Sequence, residues 1–244
     1  MRVVLALLFG LPLLGCTRGE RLTAAQLSDP AECAPCHARA VAEWEGSMHA
    51  YASNDPVFRA LVRKGQAVTD GALGTLCLTC HAPAVVRDGL SPDGLDLDAL
   101  PQQVQGVSCV DCHLVAEVTG LHNNQVRLAD DGVLRGAFRD PIPTPAHSST
   151  YSPHLDRDRP ESSELCGACH DVVLPNGLHL EQTFLEWSES VFATSDVAPL
   201  SCGQCHLRGR DGYGADVDGA RPRRLHDHSM PGVDVALDPF PRRA

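Results

Sequence analysis

Aromatic residues are scarce in this chain, at 5% of 244 residues, and methionine occurs only three times. Against them stand 21 glycines and 18 prolines. A chain of this length is enough for one domain, but its side chains alone supply a thin apolar core. Long apolar runs are also missing. Residues 3–14 form a run of 12, short of the roughly 20 residues that a membrane-spanning helix needs. Basic residues are in the minority, 20 Lys and Arg against 31 Asp and Glu, for a formal net charge of −11. That balance excludes the basic footprint of a nucleic-acid binder.

Cysteine is plentiful, and ten of the 11 cysteines fall in one repeated pentapeptide, C-x-x-C-H. It appears as Cys33-Ala34-Pro35-Cys36-His37, Cys77-Leu78-Thr79-Cys80-His81 and Cys109-Val110-Asp111-Cys112-His113. It returns as Cys166-Gly167-Ala168-Cys169-His170 and Cys202-Gly203-Gln204-Cys205-His206. This is the attachment signal of c-type haem. Two thiols three positions apart each form a thioether to a porphyrin vinyl group, and the adjoining histidine supplies an axial nitrogen to the iron. A zinc ribbon gives no reason for the histidine after each pair, and a redox dithiol is rarely repeated five times in one small domain. Five covalent haems also explain the thin core, because the porphyrins themselves supply large apolar surfaces.

The remaining cysteine sits behind an export signal. Met1 and Arg2 form a short positive region, residues 3–14 are apolar, and Leu13-Leu14-Gly15-Cys16 is similar to a bacterial lipobox. Acylation of Cys16 with more than one chain gives stable anchoring. With Thr17 and not Asp after the cysteine, the expected location is the periplasmic side of the outer membrane. Residues 1–15 are read as the signal peptide, 16–32 as an acylated tether and 33–244 as a single pentahaem domain. An acidic surface predicts redox partner proteins that dock through a basic patch.

Apolar spacing predicts a helix over residues 38–51, with Val41, Trp44 and Met48 on one face, and a short helix around Phe58, Leu61 and Val62. A further helix is predicted over 181–192, with Phe184, Trp187 and Val191 at helical spacing. Asp158 is read as the cap of a short helix before the fourth motif. Residues 125–128 and 133–135 flank Asp130-Asp131-Gly132 as a β-hairpin, and residues 140–153 are expected to be irregular. The fold class is mainly α with extensive irregular loops, at most a small β-hairpin, and a haem-dominated core. A faint echo links W-x-x-S-x-H at Trp44 with W-x-x-S-x-F at Trp187, which puts Phe192 where the first copy has His49.

Five motif histidines leave seven others. His49, His147, His228, His122, His154 and His226 are the candidate sixth ligands, while His179 lies beside a turn and is set aside. A second imidazole closes a haem to substrates; an open sixth position permits chemistry. Arg221, Arg223 and Arg224 are candidate partners for haem propionates.

The run C-x-x-C-H followed by Trp44-Glu45-Gly46-Ser47-Met48-His49-Ala50 resembles the opening of multihaem cytochromes related to hydroxylamine oxidoreductase and its tetrahaem electron acceptor. Gly106-Val107-Ser108-Cys109, residues 165–172 and Thr183-Phe184-Leu185-Glu186-Trp187 are similar to the same broad group, which includes cytochrome c nitrite reductases. The resemblance implies a helical, loop-rich fold with closely packed haems, and a His49 that ligates a haem other than its own. The chain departs from the enzymes of that group in two ways. It has no C-x-x-C-K motif, and none of its three tyrosines flanks a C-x-x-C-H. The expected function is therefore electron transfer along five haems. The alternative is a reductase of a small nitrogen, sulfur or oxygen species at one open haem.

Overall fold

Helices begin where the sequence supplies caps. The computed structural model describes residues 20–232, so the expected export signal and Cys16 lie outside the described residues. Thr23 and Gln26 form a capping box at α1 (Ala24–Leu27). Asp29 accepts from the Ala31 amide at the start of α2 (Pro30–Glu45), whose first residue is proline. Residues 21–32, expected as part of a tether, are thus docked. Leu27 is buried, the Leu22 amide donates to the Ala146 carbonyl, and Arg21 bonds Ser148 and Gly132. The first motif lies inside α2, which kinks at His37 (φ −119°, ψ 38°), two residues after Pro35.

The helix expected over 38–51 is broken. After Glu45 the chain leaves the helix, and Ser47 caps the separate turn α3 (Met48–Tyr51). The Ser47 hydroxyl donates to the Trp44 carbonyl at 2.7 Å and accepts from the Ala50 amide. The amphipathic helix α4 (Pro56–Val68), capped by Asp55, packs on α5 (Leu78–His81) and α6 (Pro83–Arg87). Phe58, Val62, Leu78, Ala82, Val85 and Leu97 form a buried cluster there, with each large side chain contributing about 1.5–3 kcal/mol. The third motif forms α7 (Cys109–His113), opened by a capping box between Ser108 and Asp111.

Strands are short and occur in pairs. β1 (Val115–Val118) pairs antiparallel with β2 (Val126–Leu128), and β3 (Val133–Gly136) pairs parallel with β4 (Ser148–Tyr151). The hairpin expected across Asp130-Asp131-Gly132 is therefore not formed. Its turn exists, since Asp131 bonds the Val133 amide and Gly132 takes φ +64°. It hands the chain from one pair to another because the Arg135 carbonyl is held by the third motif, whose His113 Nδ1 lies 2.6 Å away. Residues 148–151, expected to be irregular, are the parallel partner.

Helix α8 (Glu161–Cys169) carries the fourth motif. Pro160 is its N-cap, without a side-chain bond, and Asp158 does not cap it. The first turn is closed instead by Ser162, whose hydroxyl donates to the Arg159 carbonyl. A ribbon of β5 (Val172–Val173) and β6 (His179–Glu181) follows. The helix expected over 181–192 splits into α9 (Thr183–Glu189) and α10 (Val191–Thr194), because Ser190 is extended (ψ 164°) and caps the second piece. Val191, placed on the core stripe by its spacing, is 70% exposed, and Phe192 is 53% exposed. The fifth motif forms α11 (Cys202–His206), which precedes the antiparallel ribbon of β7 (Gly209–Gly212) and β8 (Arg223–His226). The fold is mainly α with long loops.

Candidate functional site

All five motifs converge on one cavity of about 2370 Å³, more than twice the roughly 1,000 Å³ at the upper end of small-molecule pockets. His37, His81, His113, His170 and His206 all line it. Among the motif cysteines, Cys33, Cys36, Cys80, Cys109, Cys112, Cys166, Cys169 and Cys202 reach the same wall, whereas Cys77 and Cys205 stand behind it. Motifs two and four meet at the Cys80 and Cys169 thiols, and motifs four and five at Cys166 and Cys202. The bond from Cys166, together with Ser163, holds the Cys202 thiol at about 6, whereas burial pushes Cys112 up to about 12.

Histidine rings face each other across the cavity. His37 and His147 are 6.2 Å apart between ring centroids, as are His49 and His170, and His113 and His228. An imidazole nitrogen sits about 2 Å from a metal it ligates, and the ring centre roughly 1 Å further on. Two imidazoles on opposite sides of one metal have centroids about 6 Å apart, so the observed spacing leaves room for one metal ion between each pair. Each pair joins one motif histidine to one histidine from outside the motifs. Burial pushes both His49 and His113 down to about 4, and it also lowers His81, His147, His226 and His228. Burial thus favours the neutral ring that metal ligation requires.

The other histidines divide. His154 and His226 line the cavity, while His122 and His179 do not. Gln125 packs against the His122 ring at 3.2 Å, and His179 is exposed on β6. His81 has no histidine ring facing it in this way among the described residues. Phe58 instead stacks on its face, with centroids 4.1 Å apart and an interplanar angle of 13°.

The backbone fixes these rings. Nδ1 of His37, His81, His113 and His206 lies against the carbonyls of Gly214, Ala52, Arg135 and Pro231 respectively, which leaves Nε2 for a metal. The Val107 amide donates to the His49 carbonyl at 2.8 Å, and the Trp44 indole donates to the Val107 carbonyl at 2.7 Å. Gly106 makes that approach possible. It has φ +71°, and a Cβ there would meet the Ala50 carbonyl oxygen at 2.5 Å. Sequence reasoning read Trp44 as packing and missed its bond.

The donor set fits haem. Arg157 and Arg210 line the cavity, and their Nε atoms are buried without a hydrogen-bond partner, as donors meant for propionate oxygens would be. Of the arginines expected in that role, Arg221 and Arg223 line the same cavity and pair with Asp140, while Arg224 lies 3.9 Å from Asp211; Arg157 and Arg210 are likewise paired, with Asp158 and Glu43. Among the described residues no group of three or more His, Cys, Asp or Glu is arranged to hold a bare metal ion. No helix among these residues is long and apolar enough to cross a membrane.

Residues 32–114 match the family of cytochrome c554 and c-prime. The matched third of the chain holds the first three motifs, His49, Trp44 and the Gly106 contact. It supports a c-type cytochrome with covalently bound haem iron. No curated protein and no solved structure matches the chain.

Proposed function

We propose that the chain is a pentahaem c-type cytochrome that transfers single electrons. The observation that carries this is the set of three imidazole pairs at 6.2 Å around one cavity. When bound, each haem supplies a reversible one-electron iron couple, and groups packed within one cavity exchange electrons. The ten motif cysteines hold the five groups. His37 with His147, His49 with His170, and His113 with His228 would hold three of the irons through paired imidazoles. His206 takes its partner from His154 or His226, both on the cavity wall. The paired rings close the iron to substrates and favour a low-spin carrier.

The same reading extends to the cell envelope. Cys16 carries the lipid anchor, the protein faces the periplasm from the outer membrane, and its redox partners meet the acidic surface through basic patches. The wider relationship is to the hydroxylamine oxidoreductase and nitrite reductase group, on the carrier side.

A second reading is supported by His81, which faces a phenylalanine ring and no second histidine among the described residues. An open sixth position there would suit reduction of a small nitrogen, sulfur or oxygen species. Absorption and magnetic circular dichroism of the purified holoprotein decide between the two. The carrier predicts five covalent haems per chain, all low-spin and unmoved by CO, NO or nitrite. A high-spin fraction near one in five that shifts with these ligands would overturn the pure carrier in favour of the second reading. Fewer than five haems would overturn the stoichiometry.

A further inference from the structure

Of the five motif histidines, four turn Nδ1 toward a backbone carbonyl. His170 alone turns it toward a carboxylate. The Glu181 Oε1 atom lies 3.4 Å from His170 Nδ1. The placement is built into the local fold, because the β5–β6 ribbon brings Glu181 opposite Val172, two residues beyond the motif histidine. The base of the ribbon is tied down in turn. The Phe184 amide donates to the His170 carbonyl, and the amides of Phe184 and Leu185 donate to the buried Asp171 carboxylate.

The charge of Glu181 is also unspent. Its other partner is the Thr183 hydroxyl, which donates to the same Oε1 at 3.0 Å. Glu43, near His228, makes the contrast. It accepts from Arg39 at 2.7 Å, from Arg210 at 3.1 Å and from the His228 amide, and lies 4.0 Å from His228 Nδ1. Two guanidinium groups neutralise Glu43; no arginine or lysine pairs with Glu181 among the described residues.

We infer that Glu181 is a positioning residue that drives the site between His49 and His170 to a lower reduction potential than a carbonyl-bonded histidine would give. A carboxylate at Nδ1 draws the ring proton toward itself, which makes Nε2 a stronger donor and stabilises the oxidised iron. The inference rests on His49 and His170 being axial ligands.

The test is spectroelectrochemical titration of the holoprotein in three forms. Glu181→Gln replaces the anion with a neutral acceptor, so one of the five one-electron components should move to higher potential while four stay. Thr183→Val removes the competing donor from Oε1, so the same component should move to lower potential. Glu181→Asp should restore part of the native value. Low-spin electron paramagnetic resonance should show one g-value set altered in Glu181→Gln, by a weaker axial field. A structural role for Glu181 would move the component the same way in Glu181→Gln and Thr183→Val, and that result would overturn the inference. Five unmoved components would overturn it too. Failure of the ligand reading is seen separately: His49→Ala would then leave the low-spin count unchanged.

Discussion

His49 shows how much rests on a single side chain. Its ring is buried and neutral, its carbonyl is held by Val107, and it faces His170 at 6.2 Å. His49→Ala should convert one low-spin haem in five to high-spin, read in the near-infrared magnetic circular dichroism. His122→Ala and His179→Ala, whose rings lie off the cavity, should leave that spectrum intact. Arg157 is a second case. Arg157→Met should remove the charge-assisted bond from the guanidinium to the Leu207 carbonyl, lowering holoprotein stability by roughly 1.5–3 kcal/mol in thermal unfolding. Asp140 supplies the pH dependence. Bonds from Arg223 hold its carboxyl below the usual range. A depressed folded-state pKa stabilises the fold above the unfolded value of about 3.9, and that contribution is lost as pH falls toward the folded value. Asp140→Asn should therefore flatten the acid limb of the stability curve below about pH 4, as followed by circular dichroism.

The elements repeat a device that sequence alone showed only as a faint echo. Ser47 donates to the Trp44 carbonyl and caps α3; Ser190 donates to the Trp187 carbonyl and caps α10. The Trp44 indole donates to Val107, and the Trp187 indole to Leu200. Both carbonyls belong to the residue before a serine that caps a motif helix, Ser108 before α7 and Ser201 before α11. Each tryptophan thus fixes the distance between one short helix and a later haem motif, the third for Trp44 and the fifth for Trp187. Trp44→Phe should cost about 0.5–1.5 kcal/mol for the lost bond and should broaden the His49-linked spectral features.

This same device explains where sequence reading failed. Apolar periodicity runs unbroken through Trp44 to Met48 and through Trp187 to Val191, and it cannot register a serine hydroxyl that takes the preceding carbonyl and ends the helix. The Asp130-Asp131-Gly132 turn was legible, but the partner of each flanking strand was not, because long-range bonds such as that to Arg135 set the pairing. What the residues did reveal were the five motifs, helix α4 with Phe58 and Val62 buried, and the histidines now seen in pairs. Glu181 gave no signal and Phe58 was legible only as a helix residue, since neither spacing nor composition marks a side chain that touches a motif histidine across 11 or 23 positions.

At the scale of the molecule, buried side-chain packing is concentrated in one place. The cluster around Phe58, Val62, Leu78 and Leu97 is a core in the ordinary sense, while the remaining motifs surround the cavity. Without haem the two regions should part company. Hydrogen exchange on haem-free protein should retain protection in residues 56–104 and lose it around the fourth and fifth motifs, whereas the holoprotein should be protected in both. Uniform loss would show that the side-chain cluster does not hold without its cofactors.

The three histidine pairs also have a bearing on biogenesis. In each pair the partners lie about 110–120 residues apart, and closing so long a loop is entropically slow. A chain that crosses a membrane from its N-terminus exposes His37, His49 and His113 long before His147, His170 and His228. Under the proposed export and ligand pairing, the early motifs would spend most of translocation without their distant partners, with His49 as the first spare imidazole within reach. Maturation would then be a race between distant pairing and premature local capture, with the last pair closing only when residue 228 emerges.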